Sequence, residues 1–447
     1  VNDLDKILEN VKDYVEANLT KKKDWKPGQI VNYAGLVYSA DEYMAAVKTL
    51  LSGWLALGDI GLRFEKKFPE FMGKEYGVLT NSGSSANLLM LAALTSKRGH
   101  NLPKGTKVLM PIAGFPTTVN PTIQLGFEPV FVDIELDTLN LDLDGVEETL
   151  KNDHEIRIIT FAHVLGNPPN MDRVMQLVKK HNLILLEDCC DALGSTYDGK
   201  ELGSYGEMAS CSFYPAHHIT MGEGGFVSCS SKEQEVIVKS FREWGRGCYC
   251  SGPKANALRC GSCKMRFSEW IPSLPGHIFD HKYVYDEIGF NLKPLELQAA
   301  LGMEQLKKLD FVKSRRQENY RRLFSIFEKY EEYFYIPKAT DKSDPSWFAF
   351  PLTIRENAPF SRNDIVQHLE GNQIQTRPYF AGNVMLQPAY DHLIDADYAK
   401  NNFPKATYAM LNTFFLGTSP VITQEQIEYI GAKVDEFMDK ILCKKSN

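Results

Sequence analysis

The chain has 447 residues, is 43% hydrophobic and 24% charged, and carries a formal net charge of -7. That length suits one large α/β domain with a smaller companion, or two to three domains. The acidic balance argues against a broad nucleic-acid surface but leaves room for a local phosphate pocket, and no apolar run approaches the ~18 residues a membrane span needs.

The chain opens with "VNDLDKILENVKDYVEANL", which lacks the basic and apolar regions of a signal peptide. Leu4, Ile7, Leu8, Val11, Tyr14 and Val15 recur at helical spacing, predicting an amphipathic helix within an N-terminal arm over 1–40. A cytoplasmic location is expected. From Val78 to Ser230 short apolar runs alternate with helical patterns. The runs are "VLMP" (108–111), "PVFVD" (129–133), "IRIITFAHV" (156–164) and "LILLED" (183–188). Such alternation predicts a large, mostly parallel sheet covered by helices, with ligands at the carboxyl ends of the strands. This large domain is expected over 41–309, with a cysteine-rich loop over 245–285. A long charged helix from Asp310 and the run "SWFAFPLTI" then open a smaller α/β domain over 310–447.

Several residues along this pattern suit a phosphorylated ring cofactor. Gly83, Ser84 and Ser85 open a helix, whose N-terminal N–H groups favour phosphate; a plain serine cap explains them equally well. Phe115 follows a strand, where an aromatic ring can stack on a flat ligand or fill the core. Asp188 ends a buried strand, where a carboxylate can pair with a protonated pyridine nitrogen or cap the next turn. The stretch "SFYPAHHITMGEGG" (212–225) then presents His217 and His218 before a glycine cluster, and no lysine lies between Lys200 and Lys232.

In order and spacing, these motifs resemble the sugar-nucleotide aminotransferase family (DegT/DnrJ/EryC1/StrS) of pyridoxal-phosphate enzymes. The resemblance runs from "GWLALGDIGLRFEKKF" at Gly53 to "GFNLKPLELQAALG" ending at Gly302, and more weakly beyond. It implies the aspartate aminotransferase type of fold and an obligate homodimer. It also implies that Gly83, Ser84, Ser85 and Ser212 hold the cofactor phosphate and that Phe115 stacks on the ring. Asp188 would meet the pyridine nitrogen, and Asn291 would reach the phosphate from the neighbouring subunit.

Two positions depart from the family pattern. Asp191 stands where the family usually has Gln, and His217 stands where it has the cofactor-binding lysine. Imidazole cannot form the Schiff base that tethers the cofactor, yet it can move a proton near neutral pH. Its presence implies pyridoxamine or pyridoxal phosphate held noncovalently and a dehydration at C-3 of a nucleotide-linked 4-keto-6-deoxyhexose, instead of amino transfer. Two branches of the family carry this histidine. One regenerates its cofactor from glutamate and needs no metal. The other, which acts on a CDP-linked sugar, carries a [2Fe–2S] cluster and takes electrons from a flavin-containing iron–sulfur reductase.

The cysteines bear on that choice. There are 9, an odd number in a chain with no export signal, which argues against a disulfide framework. The resemblance assigns cluster ligation to Cys190, Cys248, Cys250 and, best matched by the following "KMRF", Cys263, with Cys260 as the other candidate. Spacing alone equally permits zinc on Cys248, Cys250, Cys260 and Cys263, or a loop of thiols without metal. His163, at a strand end, and Arg377 are candidates to face the sugar or its phosphates; a structural histidine and a surface ion pair are the alternatives. His218 is expected to neighbour the site without moving protons.

Overall fold

The structure is a computed structural model and describes residues 3–20, 24–248, 250 and 264–445. Its larger sheet has seven strands: β1 (Tyr76–Thr80), β2 (Lys107–Pro111), β3 (Glu128–Val132), β4 (Ile156–Ala162), β5 (Ile184–Asp188), β8 (Met208–Ser212) and β9 (Gly225–Cys229). A small hairpin, β6 (Thr196–Tyr197) with β7 (Lys200–Glu201), lies between β5 and β8 in the chain. The order across the sheet is β1-β9-β8-β5-β4-β2-β3. All neighbours from β3 to β8 run parallel, whereas β9 is antiparallel to both β8 and β1. The apolar runs of the sequence become these strands, the central ones buried on both faces; every residue of β5, β8 and β9 is buried, whereas β3 at the sheet edge is mostly half-buried. Pro111, Ala162, Asp188 and Ser212 therefore end neighbouring parallel strands along one edge.

Helix Gly83–Ala93 starts at that edge. Ser82 caps it, its Oγ accepting the Ser85 N–H at 3.1 Å. The helix start lies so close to the end of β8 that a Cβ on Gly83 would stand 2.4 Å from Ser212 Cβ. Only glycine permits this approach.

The second sheet is antiparallel: Phe334–Tyr335, Ala349–Ile354, Thr413–Gly417 and Arg377–Pro378, in that spatial order. One of its faces packs with helix Leu309–Phe327 and the C-terminal helix in a core containing Tyr320, Phe350, Leu416 and Val434. On the other side Phe348, Tyr379 and Phe415 belong to the same core as Leu89, Met110 and Val227 of the large sheet. The two sheets thus share apolar packing next to the strand-end edge.

The amphipathic helix expected in the N-terminal arm spans Asp3–Asn18; further on, Val31 pairs with Ile374, exchanging hydrogen bonds with Gln373 and Gln375 at 2.8 and 3.0 Å. The charged helix stops at Phe327 and yields through a 3-10 turn to the strand at Phe334, because buried Phe334 pairs with Ile354. No helix among the described residues is long and apolar enough to cross a membrane.

Candidate active site

A cavity of 490 Å³ opens at the carboxyl ends of the parallel strands, between the two sheets. Gly83 and Ser84 line one side, Phe115 and Thr118 another, and Asp188, Cys190, Asp191, Ser212 and His217 the floor and far wall. Phe348, Arg377 and Phe415 come from the second sheet and its surroundings, and Tyr33 from the N-terminal segment. No lysine lines it.

Asp188 is held by four donors. Its Oδ2 accepts from Asn87 Nδ2 at 2.7 Å and Thr118 Oγ1 at 3.0 Å; its Oδ1 accepts from the Cys190 N–H at 3.1 Å and Ser210 Oγ at 3.3 Å. Asn87 and Thr118 escaped the sequence reading. For Asn87 a signal existed: it stands four residues after Gly83 on the same helix, hence on the same face.

The helix start suits an anion. The Ser82 cap uses the Ser85 N–H, and the Ser85 hydroxyl faces Ser82 Oγ at 3.0 Å, so Ser85 serves the cap and does not line the cavity. Gly83 and Ser84 supply the other first-turn N–H groups, beside Ser212. Phe115, 52% exposed, stands edge-on to Phe380 with ring centroids 5.9 Å apart and leaves a face for a flat ligand. A cradle that a single Cβ would fill, an aromatic wall and a rigidly held carboxylate together fit a phosphorylated pyridine.

His217 sits on the loop between β8 and β9, with its side chain 15% exposed. Its Nδ1 is 3.4 Å from Asp191 Oδ1 yet has no hydrogen-bond partner, and its ring centre is 5.2 Å from that of Phe348. Burial, reinforced by the Arg316 guanidinium and opposed by Asp188, pushes His217 down to about 4. Asp191 is pushed up to about 8 by burial and by Asp188, against the pull of Arg316. Burial thus disfavours the charged form of both groups.

Other sequence candidates fall in different places. Arg377 lines the cavity, its guanidinium 4.2 Å from the Tyr33 ring centre and its Nη1 donating to Thr376 O at 2.6 Å. His163 does not: it is fully buried with its Nε2 2.9 Å from Glu187 Oε2. Ala162 takes the cavity side of the strand end, so alternation sends His163 to the core. His218 is likewise buried outside the cavity, its Nε2 bonded to Ser346 O. Asn291 is exposed, accepts from Lys293 Nζ at 2.8 Å and stays outside the cavity of its own chain. Cys190 lines the cavity with its thiol pushed well above the ordinary value by burial and by Asp188. Cys248 and Cys250 are half-buried; Cys260 and Cys263 lie outside the described residues. Among the described residues, the one group of three potential ligands with atoms within 4.8 Å of one another is His163, Glu187 and Cys189. The described thiols Cys190, Cys248 and Cys250 do not converge in that way.

The topology and the strand-end cavity define a pyridoxal-phosphate-dependent aminotransferase fold, and the solved structures agree. An E. coli GDP-4-keto-6-deoxy-D-mannose-3-dehydratase with bound hydrated PLP superimposes with a TM-score of 0.78 at 29% identity, covering 91% of this chain and 100% of the other. The model of the DegT/DnrJ/EryC1/StrS aminotransferase family matches residues 38–435, and the chain belongs to that family. Its relatives include the lipopolysaccharide biosynthesis protein RfbH of Salmonella typhimurium, 41% identical over 97% of both chains. The dTDP-4-dehydro-2,6-dideoxy-D-glucose 3-dehydratase of Saccharopolyspora spinosa is 40% identical over 98% of this chain and 92% of its own.

Proposed function

We propose that this protein is a coenzyme-B6-dependent dehydratase that removes the C-3 hydroxyl of a nucleotide-linked 4-keto-6-deoxyhexose in deoxysugar biosynthesis. The observation that carries this reading is His217: the cavity that fits the cofactor contains an imidazole and, among the described residues, no lysine. Two lines of relatives named as sugar-nucleotide 3-dehydratases support it, at 40% and 31% identity.

Gly83 and Ser84 N–H groups with Ser212 would hold the cofactor phosphate, Phe115 would cover the ring, and Asp188 would meet the pyridine nitrogen. Bound pyridoxamine phosphate supplies an amine that condenses with the keto group and a ring that accepts electrons. His217, kept unprotonated at pH 7 by its burial, would take a proton at the cofactor's C4′ carbon and return it to the 3-hydroxyl, which would leave as water. Arg377, which lines the cavity, would meet the sugar or its phosphates, and the shared apolar walls would keep water out. Amino transfer is disfavoured, since the proton shuttle of that reaction leans on a lysine.

The finer reading is a homodimer, with Asn291 reaching the neighbouring cavity, a CDP-linked substrate, and a [2Fe–2S] cluster reduced by a flavin/iron–sulfur reductase. Cys190 beside Asp188 and the Cys248-x-Cys250 pair favour it, with Cys263 as fourth ligand. The glutamate-using, metal-free dehydratase is the second reading. A GDP-4-keto-6-deoxymannose-3-dehydratase with a trapped PLP-glutamate geminal diamine favours it, at 28% identity and a TM-score of 0.77. The test is the visible spectrum of anaerobically purified protein before and after dithionite, with product analysis on CDP-, dTDP- and GDP-linked 4-keto-6-deoxyhexoses. Bands that bleach on reduction, with loss of the 3-hydroxyl from the CDP sugar, support the cluster reading. A spectrum with cofactor absorption alone and glutamate-dependent turnover selects the second. Transfer of the amino group to the sugar in place of hydroxyl loss overturns both.

A further inference from the structure

Arg316, on helix Leu309–Phe327, is 2% exposed, yet no carboxylate is among its hydrogen-bond partners. Its Nη1 donates to Phe348 O at 2.7 Å, with Trp347 O and Thr418 Oγ1 each at 3.4 Å. Its Nη2 donates to Ala216 O at 3.0 Å and His217 O at 3.2 Å, and its Nε has no partner. Burying a guanidinium is costly, and here Asp191 offsets the cost through space without a hydrogen bond, leaving five neutral oxygens to hold the fork. The five acceptors come from two places: the loop carrying His217, and the second sheet where Phe348 meets the His217 ring.

We propose that Arg316 is a positioning residue for His217, its guanidinium joining the carbonyls of the His217 loop to those beside Phe348 and so fixing the imidazole at the cavity wall. The planar fork can serve both sets of carbonyls at once, which a lysine cannot. Burial lowers Arg316 only to about 10, so it remains a cation at neutral pH. The groups facing His217 are this cation on the helix, Asp188 at the end of β5, Asp191 in the turn after it, and Tyr214 and His218 on its own loop. After burial, Arg316 is the largest influence holding the imidazole unprotonated.

The proposal rests on His217 being the base of the reaction; the titration arm of its test does not, and the kinetic arm is read beside His217→Asn. The full-length protein with bound pyridoxamine phosphate is prepared with ¹³C-labelled histidine, and the His217 signal, identified by its loss in His217→Asn, is followed against pH. In Arg316→Met the midpoint of His217 is expected to move up from that of the wild type, and kcat to fall about 10²-fold at nearly constant KM, as for a misplaced catalytic group. Arg316→Lys keeps the charge without the fork; its His217 midpoint should stay near the wild-type value while kcat still falls. An unchanged midpoint in a folded Arg316→Met, or wild-type kcat in Arg316→Lys, overturns the proposal. If Arg316→Met fails to fold, Arg316→Lys alone decides. Normal turnover by His217→Asn would instead overturn the base assignment and leave the histidine titrations to be read on their own.

Discussion

Glu187 and Asp188 are adjacent acids at the end of one strand, and they live in opposite worlds. Asp188 faces the cavity and is held by Asn87, Thr118, Ser210 and the Cys190 N–H. Glu187 faces the core, fully buried, where His163 and the N–H groups of Gly203 and Gly206 surround it at 2.9, 3.0 and 2.6 Å. Burial alone would raise the Glu187 pKa, but these donors outweigh it and hold the carboxyl below its ordinary value. A strand turns successive side chains to opposite faces. The same residue type one position apart is therefore a ligand group on one side and a structural anchor on the other.

The sharpest way to break this contrast is to change the cavity side. His217→Asn should lower turnover about 10²- to 10⁴-fold, the range of a lost general base, with urea stability near wild type. Steady-state kinetics beside an unfolding curve would check it; a turnover loss that merely tracks lost folding would erase the distinction. On the core side, Glu187→Ala strands His163 without its partner and should cost about 3–5 kcal/mol in urea unfolding. The protein that remains folded should keep its cofactor affinity, measured by equilibrium dialysis of pyridoxamine phosphate. Gly83→Ala should come next in size. Its new Cβ meets Ser212 Cβ at 2.4 Å and Ser212 Oγ at 2.8 Å, which costs about 1–3 kcal/mol of overpacking. Because those atoms form the phosphate cradle, weaker cofactor binding should exceed the loss of global stability.

Much of the cavity side was legible in sequence, because it depends on local patterns. An apolar run ending in Asp188, a glycine–serine helix start at Gly83, and a histidine before a glycine cluster each lie within one short stretch. The strands β2 to β5 followed from the same kind of pattern. What stayed hidden depends on distant pairs. Arg316 reads in sequence as one more cation of a charged helix, and only the meeting of the two sheets brings it to the His217 loop, 99 residues away in the chain. His163 shows the reverse case: its place at a strand end left the site and the core both open, and standing one residue past Ala162 puts it on the core face. Asn87 lay in view, and its role required knowing that the helix start and the end of β5 share one wall.

The smallest expected effect concerns protons and separates the two sides by sign. In the unfolded chain His217 takes up its proton near ~6.5, but in the folded chain only near about 4. Between these values the unfolded state binds more protons, so stability falls as the pH is lowered from 6.5 toward 4, by up to about 1.4 kcal/mol per pH unit for one such group. His218, held well below its ordinary value by burial and by Arg316, acts in the same direction. Glu187 differs: its carboxyl is lowered, so its contribution is intact above the ordinary carboxylate range and is lost as the pH falls through that range and below it. Urea midpoints at pH 7.0, 6.0 and 5.0 should thus decline in the wild type and decline less in His217→Asn, while Glu187→Gln keeps the wild-type slope from a lower starting stability. Equal slopes in wild type and His217→Asn would mean that the imidazole titrates alike in the folded and unfolded chain, and the lowering by burial would fall.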